Sequence, residues 1–445
     1  MGDNSEEILG SLNRRIAPGN RILYYPMLVK KAKGCIITDV NGKEYLDFNA
    51  SWTVAGLGYS NPIVIDAIKA ELNSSTGLAA GTLPSETTLK FAEEVISLMP
   101  GSVSKKVWFG HSGGDACAAA YKLLPLATKR SRALSFYGAM HGVDLAGIAM
   151  GGHPSTAKYR VSSLVSKVPY AYCYRCPFGL EYPSCGVYCA SDFIEDQVFK
   201  YATVPEDTAF MIVEAMQSDG GDVVPPEEYH RKLKQTCEKF GILYVADEIK
   251  IAPSRTGKLL GVDHYGVVPD AVAFGKSIAS GMPAGALVAR DDLLDGGYLM
   301  STLVGNSVVA AAAIASIKLL KEPSLLRHVS LLGDRFKARL EELKERHEII
   351  GDVRGKGLLL GIELVKDRKT KEPAKLETAK IVFRAWERGL VTAYVGADQN
   401  VIELTPPLVI SEEELEHGAE ILEQSISDVE KGLVPDAAVK DFTGF

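Results

Sequence analysis

The chain has 445 residues, more than a single hydrophobic core usually supports, so a large domain and a smaller one are expected. A formal net charge of −7 and a pI near 5.7 argue against nucleic acid or an anionic membrane as partner. The opening MGDNSEEILGSL has no basic-apolar leader pattern, and Glu6 stands where a myristoylation signal wants Ser or Thr, so a cytoplasmic protein is expected.

After an N-terminal segment, alternating residues from Gly34 to Phe48 around the turn pair Asn41-Gly42 predict a hairpin. From there to about Pro323, apolar runs alternate with helix-length spacers: Val107 to Phe109, Ala133 to Phe136, Ala209 to Val213, Leu243 to Ala246, Ala271 to Phe274 and Ala286 to Ala289. Runs this continuous predict an α/β fold with a mostly parallel sheet covered on both faces. Pro125 falls inside a predicted helix, where it should kink or end it. The weakly polar stretch from Leu303 to Leu320 is broken by Gly305, Asn306, Ser307 and Lys318, which suits a buried helix better than a membrane span. Beyond Pro323, a helical pattern to about His347, the strand-like VRGKGLLLGIELV, a helix near Ala379 to Arg388 and the strand-like NVIELT predict a separate α+β domain. The expected division is residues 1–60 as an N-terminal segment packing with the small domain, 61–325 as the large domain and 326–445 as the small one.

Seven cysteines fall into two groups. Cys35, Cys117 and Cys237 are scattered and read as core thiols. Cys173, Cys176, Cys185 and Cys189, in YCYRCPFGLEYPSCGVYC, form a C-x2-C pair followed by a C-x3-C pair. Four thiolates so arranged could hold a structural zinc, although the central spacing is shorter than in common zinc ribbons. The alternative is four reduced thiols, or disulfides, on a surface excursion rich in Tyr, Pro and Gly.

Two residues carry the chemistry. Asp247 follows the run Leu243 to Ala246, and Lys276 follows Ala271 to Phe274, so both should line the crevice at the strand ends of one sheet. Either alone is ordinarily a solvated lysine or a capping aspartate. Together they are what pyridoxal phosphate needs: an amine to form a Schiff base with its aldehyde and a carboxylate to hold its ring nitrogen protonated. FGHSGGDACAAAY places small residues between a strand and a helix, a plausible phosphate cradle. Glu214 and Asp219, in VEAMQSDGG, follow another strand and should face the same crevice. Thr302 and Asn306 read by default as helix caps.

The ordered set SGGDA, MHG, VEAMQSDGG, VADEIKIAPSRTGK, FGKSIASGMPAGA, TLVGN and LTPPL resembles the class III (ornithine and ω-amino acid) aminotransferase family of fold-type I pyridoxal phosphate enzymes. The resemblance implies a large domain with a mostly parallel sheet and a smaller α+β domain. It makes Lys276 the Schiff-base lysine and Asp247 the pyridinium partner, and it places Ile249 on the ring and Ser112, Gly113 and Gly114 on the phosphate. Met140, His141 and Asp219 complete the implied cofactor site. Thr302 would reach the phosphate of a neighbouring subunit, which implies a homodimer with active sites at its interface. Within the family the chain is most similar to the α-amino-ε-caprolactam racemases. Like them it carries Glu403 where many members place a carboxylate-binding arginine, and Trp52 as a wall of the substrate pocket.

The departures bear on the reaction. Met140 stands where an aromatic residue covers the ring, and where those racemases have a tyrosine that could move a proton; a thioether cannot. Gly114 replaces a serine, and Ala215 and Ser307 also break the pattern. Transamination needs one base, which Lys276 supplies, so an aminotransferase acting on a small amino compound is the first expectation. Glu403 should repel an α-carboxylate and tolerate an amide, lactam or amine. Racemisation or epimerisation of an amino acid amide or lactam is the alternative, and a non-catalytic binding protein on the same fold is the alternative of another class.

Overall fold

In the computed structural model, which describes residues 3–159 and 161–442, the chain divides into two compact units. One is Pro62–Arg327; the other joins Met1–Asn61 to His328–Phe445.

The unit Pro62–Arg327 is built on a seven-stranded sheet in the spatial order Lys105–Gly110, Gly285–Arg290, Ala271–Phe274, Leu243–Asp247, Thr208–Glu214, Arg132–Phe136, Val165–Val168. Five consecutive strands run parallel, and Gly285–Arg290 is antiparallel to both its neighbours. Every residue of Thr208–Glu214, Leu243–Asp247 and Ala271–Phe274 is buried, as strands covered on both faces require, which is why their sequences run almost unbroken in apolar residues. The charged exceptions are Glu214 and Asp247. They stand at the C-terminal ends of adjacent strands and face each other in register. That end of a parallel sheet is where ligands bind in open α/β folds.

Two local expectations are corrected. Pro125 does not end its helix, which runs Gly113–Thr128 and stops at Lys129 in the left-handed region (φ 57°). It lies in the last turn, where one lost N–H costs little continuity. Thr302 is an exposed turn residue rather than a cap; Asn306 alone caps Ser307–Leu320, its side chain accepting from the Val309 amide at 3.1 Å. Val165–Val168 is an edge strand with no counterpart among the predicted runs.

The other unit holds two sheets. Val29–Lys33, Ile36–Asp39, Glu44–Asp47 and Leu390–Val391 form the first, with the predicted hairpin turning at Gly42 (φ +86°). Ile350–Lys356, Leu359–Asp367, Val401–Leu404 and Ala393–Val395 form the second, with Glu372–Pro373 also paired to Leu359–Asp367, so VRGKGLLLGIELV is two antiparallel strands turned at Gly357. Among the described residues no helix is long and apolar enough to cross a membrane.

Candidate active site

Asp247 is the most constrained residue at the strand ends. Its Oδ2 accepts from His141 Nδ1 at 2.7 Å and from the Cys117 thiol at 3.5 Å, and its Oδ1 accepts from the Ile249 amide at 3.0 Å. His141 is wholly buried, and its Nε2 meets no partner among the described residues. With Nδ1 against a carboxylate oxygen, the proton belongs on Nδ1. Burial, with Asp247 beside it, pushes the Cys117 thiol well above its ordinary range, so it stays a protonated donor. The ligating atoms of Cys117, His141 and Asp247 lie within 4.8 Å of one another, a spacing that would also suit a metal. Two donors sharing one carboxylate oxygen account for the cluster without one. His141 thus acts from behind Asp247, fixing the orientation of its carboxylate.

Lys276 opens the short helical turn Lys276–Ala279, half-buried, with φ at +49°. A left-handed lysine costs of order 1–3 kcal/mol and persists only where its surroundings hold it, as they do at functional sites. It lines a small cleft together with Met140, Glu214, Asp219, Asp247, Ile249 and Lys250. Glu214 stands where the sequence predicts it, and Lys250 is a side chain that the sequence did not single out. Lys250, only 8% exposed, places its ammonium 2.8 Å from Asp219 Oδ1. Burial alone would raise the Asp219 carboxyl, but Lys250 and then Lys276 hold it below its ordinary value. Glu214 accepts from the amides of Met140 (3.1 Å) and Ser218 (3.2 Å). Its burial pushes it up to about 7; His141 opposes that rise, and Asp247 and Asp219 add to it.

Beside the cleft, Ser112 caps the 16-residue helix Gly113–Thr128. Its hydroxyl accepts from the Asp115 amide (3.2 Å), while Asp115 takes the amides of His111 (2.8 Å) and Ser112 (3.2 Å). Gly113 lies so near Ile249 that a Cβ there would fall 2.6 Å from Ile249 Cγ2, whereas at Gly114 the nearest atom would be 3.4 Å away. The first turn therefore presents bare amides and the positive end of the helix dipole.

Trp52 and Glu403 belong to the other unit. Trp52 lies in the run Ala50–Thr53, where four successive residues have φ between 47° and 67°, and its ring centroid is 6.2 Å from that of Tyr24. Glu403 is on Val401–Leu404, opposite Gly361 and Ala393, and is 0% exposed.

The donor set fits pyridoxal phosphate. Lys276 offers the amine and Asp247, oriented by His141, the carboxylate for the ring nitrogen; Ile249 is held between Gly113 and the cleft; and Ser112, Gly113 and Gly114 offer an anion cradle.

Comparison with known proteins gives the family. The family model for class III aminotransferases matches residues 18–426. The chain is 37% identical to the leucine/methionine racemase of Thermococcus litoralis over 99% of both chains. It is 35% identical to the alanine/serine racemase of Pyrococcus horikoshii, over 97% of this chain and 92% of that one. An aminotransferase structure from Bacillus anthracis superposes with a TM-score of 0.86 at 27% identity, covering 96% of this chain and 99% of that one. The chain is an enzyme of fold-type I and belongs to the class III aminotransferase family.

Proposed function

We propose that this enzyme racemises or epimerises a neutral α-amino compound using pyridoxal phosphate, and that Lys276 and the Asp219–Lys250 pair are its two proton-handling groups. One observation carries the reading: a second, buried, ion-paired ammonium shares the cleft with Lys276. The bound cofactor supplies an electron sink that acidifies the substrate Cα–H. The lysine amine of Lys276 takes the Cα proton. The Lys250 ammonium, paired with Asp219, gives a proton back to Cα, and the roles reverse for the other enantiomer, so protons balance with no oxidant or reductant. Met140 lines the cleft but has no proton to move. The Asp219–Lys250 pair thus fills a gap that Met140 leaves.

The two racemases similar to this chain are named for free amino acids, and Glu403 is wholly buried, so its carboxylate faces protein. We therefore place neutral aliphatic α-amino acids first as substrates, with their amides and lactams second. Transamination remains the second reading, because it needs Lys276 alone and the Bacillus anthracis structure superposes over nearly the whole chain. The same reading makes the enzyme a cytoplasmic homodimer, with the exposed Thr302 turn contributing to the phosphate site of a second subunit.

Incubation of single-enantiomer leucine, alanine and leucinamide in heavy water, with and without a keto acid, separates these outcomes. A racemase gives deuterium at Cα with inversion and no net keto acid. Keto acid formation coupled to an acceptor, with configuration retained, would leave only the transaminase. Asp219→Asn and Lys250→Gln should slow inversion at least tenfold while Cα exchange in one enantiomer persists.

A further inference from the structure

The excursion between Val165–Val168 and Thr208–Glu214 takes no part in the chemistry above, yet it gathers four of the seven cysteines. All four are free, and all four line one small pocket, together with Tyr172, Phe178, Tyr182 and Tyr188. Cys173 comes from the short turn Cys173–Arg175, and Cys185 and Cys189 from the tight turns that follow Glu181, where the Cys185 amide bonds Glu181 O at 2.8 Å and the Tyr188 amide bonds Cys185 O at 3.1 Å. Phe178 stacks edge-on with Tyr188 (5.4 Å) and against Phe193 (4.9 Å), closing one side. A loop of such length with so little regular structure needs a device that holds it. The four cysteines that line this pocket are placed to supply one.

We propose that Cys173, Cys176, Cys185 and Cys189 form a tetrathiolate site for a soft metal, zinc in the first instance, which fastens the excursion. Zinc bonded to four sulfurs at roughly 2.3 Å holds them roughly 3.8 Å apart. Among the described residues no three of these sulfurs lie within 4.8 Å of one another, so ligation requires the four side chains to draw together as the metal enters. Each thiol gives up its proton to buffer on ligation, four protons per metal.

The excursion also braces the cleft. Tyr170, three residues before Cys173, donates its hydroxyl to the carbonyls of Glu214 (3.0 Å) and Ala215 (3.2 Å). Tyr182 and Gly186 are tied to the helix region that follows the Asp219 loop, through Glu228 (3.1 Å) and Lys232 (2.6 Å). A metal there steadies the backbone that presents Glu214 and Asp219.

The test uses the full chain with its cofactor, washed with EDTA. Metal analysis should give about one zinc per chain, absent from Cys173→Ser/Cys176→Ser. Mass mapping of alkylation should find all four thiols protected in the native protein, and hydrogen exchange over residues 172–193 should slow at least tenfold when zinc is added to metal-stripped protein. Iron with acid-labile sulfide, lost in the same double variant, would also support the site with a cluster as occupant. No metal as isolated, together with four thiols that alkylate equally with and without added zinc, would overturn the proposal. So would metal retained in full by a folded double variant. Alkylation of the wild-type protein decides the question even if the variant fails to fold.

Discussion

Glu214→Gln tests the electrostatics of the cleft. Burial lifts the carboxyl from an ordinary value of 4.5 to about 7, so the folded state holds its proton more tightly than the unfolded state does. The stability linked to this group is therefore fully present below about pH 4.5 and lost as pH rises through about 7. The shift corresponds to roughly 3 kcal/mol between pH 5 and pH 8, counting about 1.4 kcal/mol per unit. Glutamine does not titrate. It can accept from only one of the Met140 and Ser218 amides and turns an NH2 toward the other, which costs about 1–3 kcal/mol at every pH. The variant should thus be less stable at pH 5 and equal to or better than the parent at pH 8. With an unfolding entropy of about 2.1 cal/mol/K per residue, that crossover moves the difference in Tm by roughly 3 °C if the chain melts as one, and by about 5 °C if Pro62–Arg327 melts alone. Calorimetry of the two proteins from pH 5 to pH 8 makes the comparison. Parallel Tm curves would refute the reasoning, because they would mean Glu214 ionises in the fold as it does in the unfolded chain.

Four further outcomes are expected. Lys276→Ala should abolish turnover and the visible band of the bound cofactor while leaving far-UV circular dichroism unchanged; borohydride reduction of the parent should label Lys276, and a label elsewhere would displace the site. His141→Ala removes the 2.7 Å bond to Asp247 and should weaken cofactor retention by about tenfold to a hundredfold in equilibrium dialysis, following a loss of about 1.5–3 kcal/mol. Gly113→Ala puts a methyl 2.6 Å from Ile249 and should cost about 1–3 kcal/mol of stability along with phosphate affinity, whereas Gly114→Ala, with 3.4 Å of room, should cost less; equal effects would deny the crowding. Glu403→Gln removes the charge with little change of shape; with the carboxylate wholly buried, the ratio of activity on free acids to that on amides should stay unchanged, and a shift of roughly tenfold or more toward free acids would make Glu403 a selector of substrates.

What was legible in the sequence follows from which forces act locally. Runs such as Ala271 to Phe274 announce buried strands because both faces need apolar side chains, and Asp247 and Lys276 stand out as the polar residues that end such runs. Val165–Val168 gives no such signal: as an edge strand it tolerates Ser166 and Lys167, and four residues are too few for a period. The buttress behind Asp247 is hidden for another reason. Cys117 lies 130 residues away in an alanine-rich helix face and His141 106 residues away in a loop, and only the crossing of helix and sheet brings them to one oxygen.

The Lys250–Asp219 pair shows the limit most clearly. Both residues were in view, Asp219 as a cofactor neighbour and Lys250 inside the motif VADEIKIAPSRTGK, yet nothing in a 31-residue separation says that they meet. They meet because Glu214 and Asp247 pair in register, which brings the two loops that leave those strand ends to the same side of the cleft. Register is a non-local property, and one step of slip would turn both carboxylates to the other face. The expectation of a transaminase rested on finding no second proton donor beside Met140. A lysine that arrives through strand register was the residue such a search was least able to find, and its ion pair at 2.8 Å is the observation on which the proposed racemisation rests.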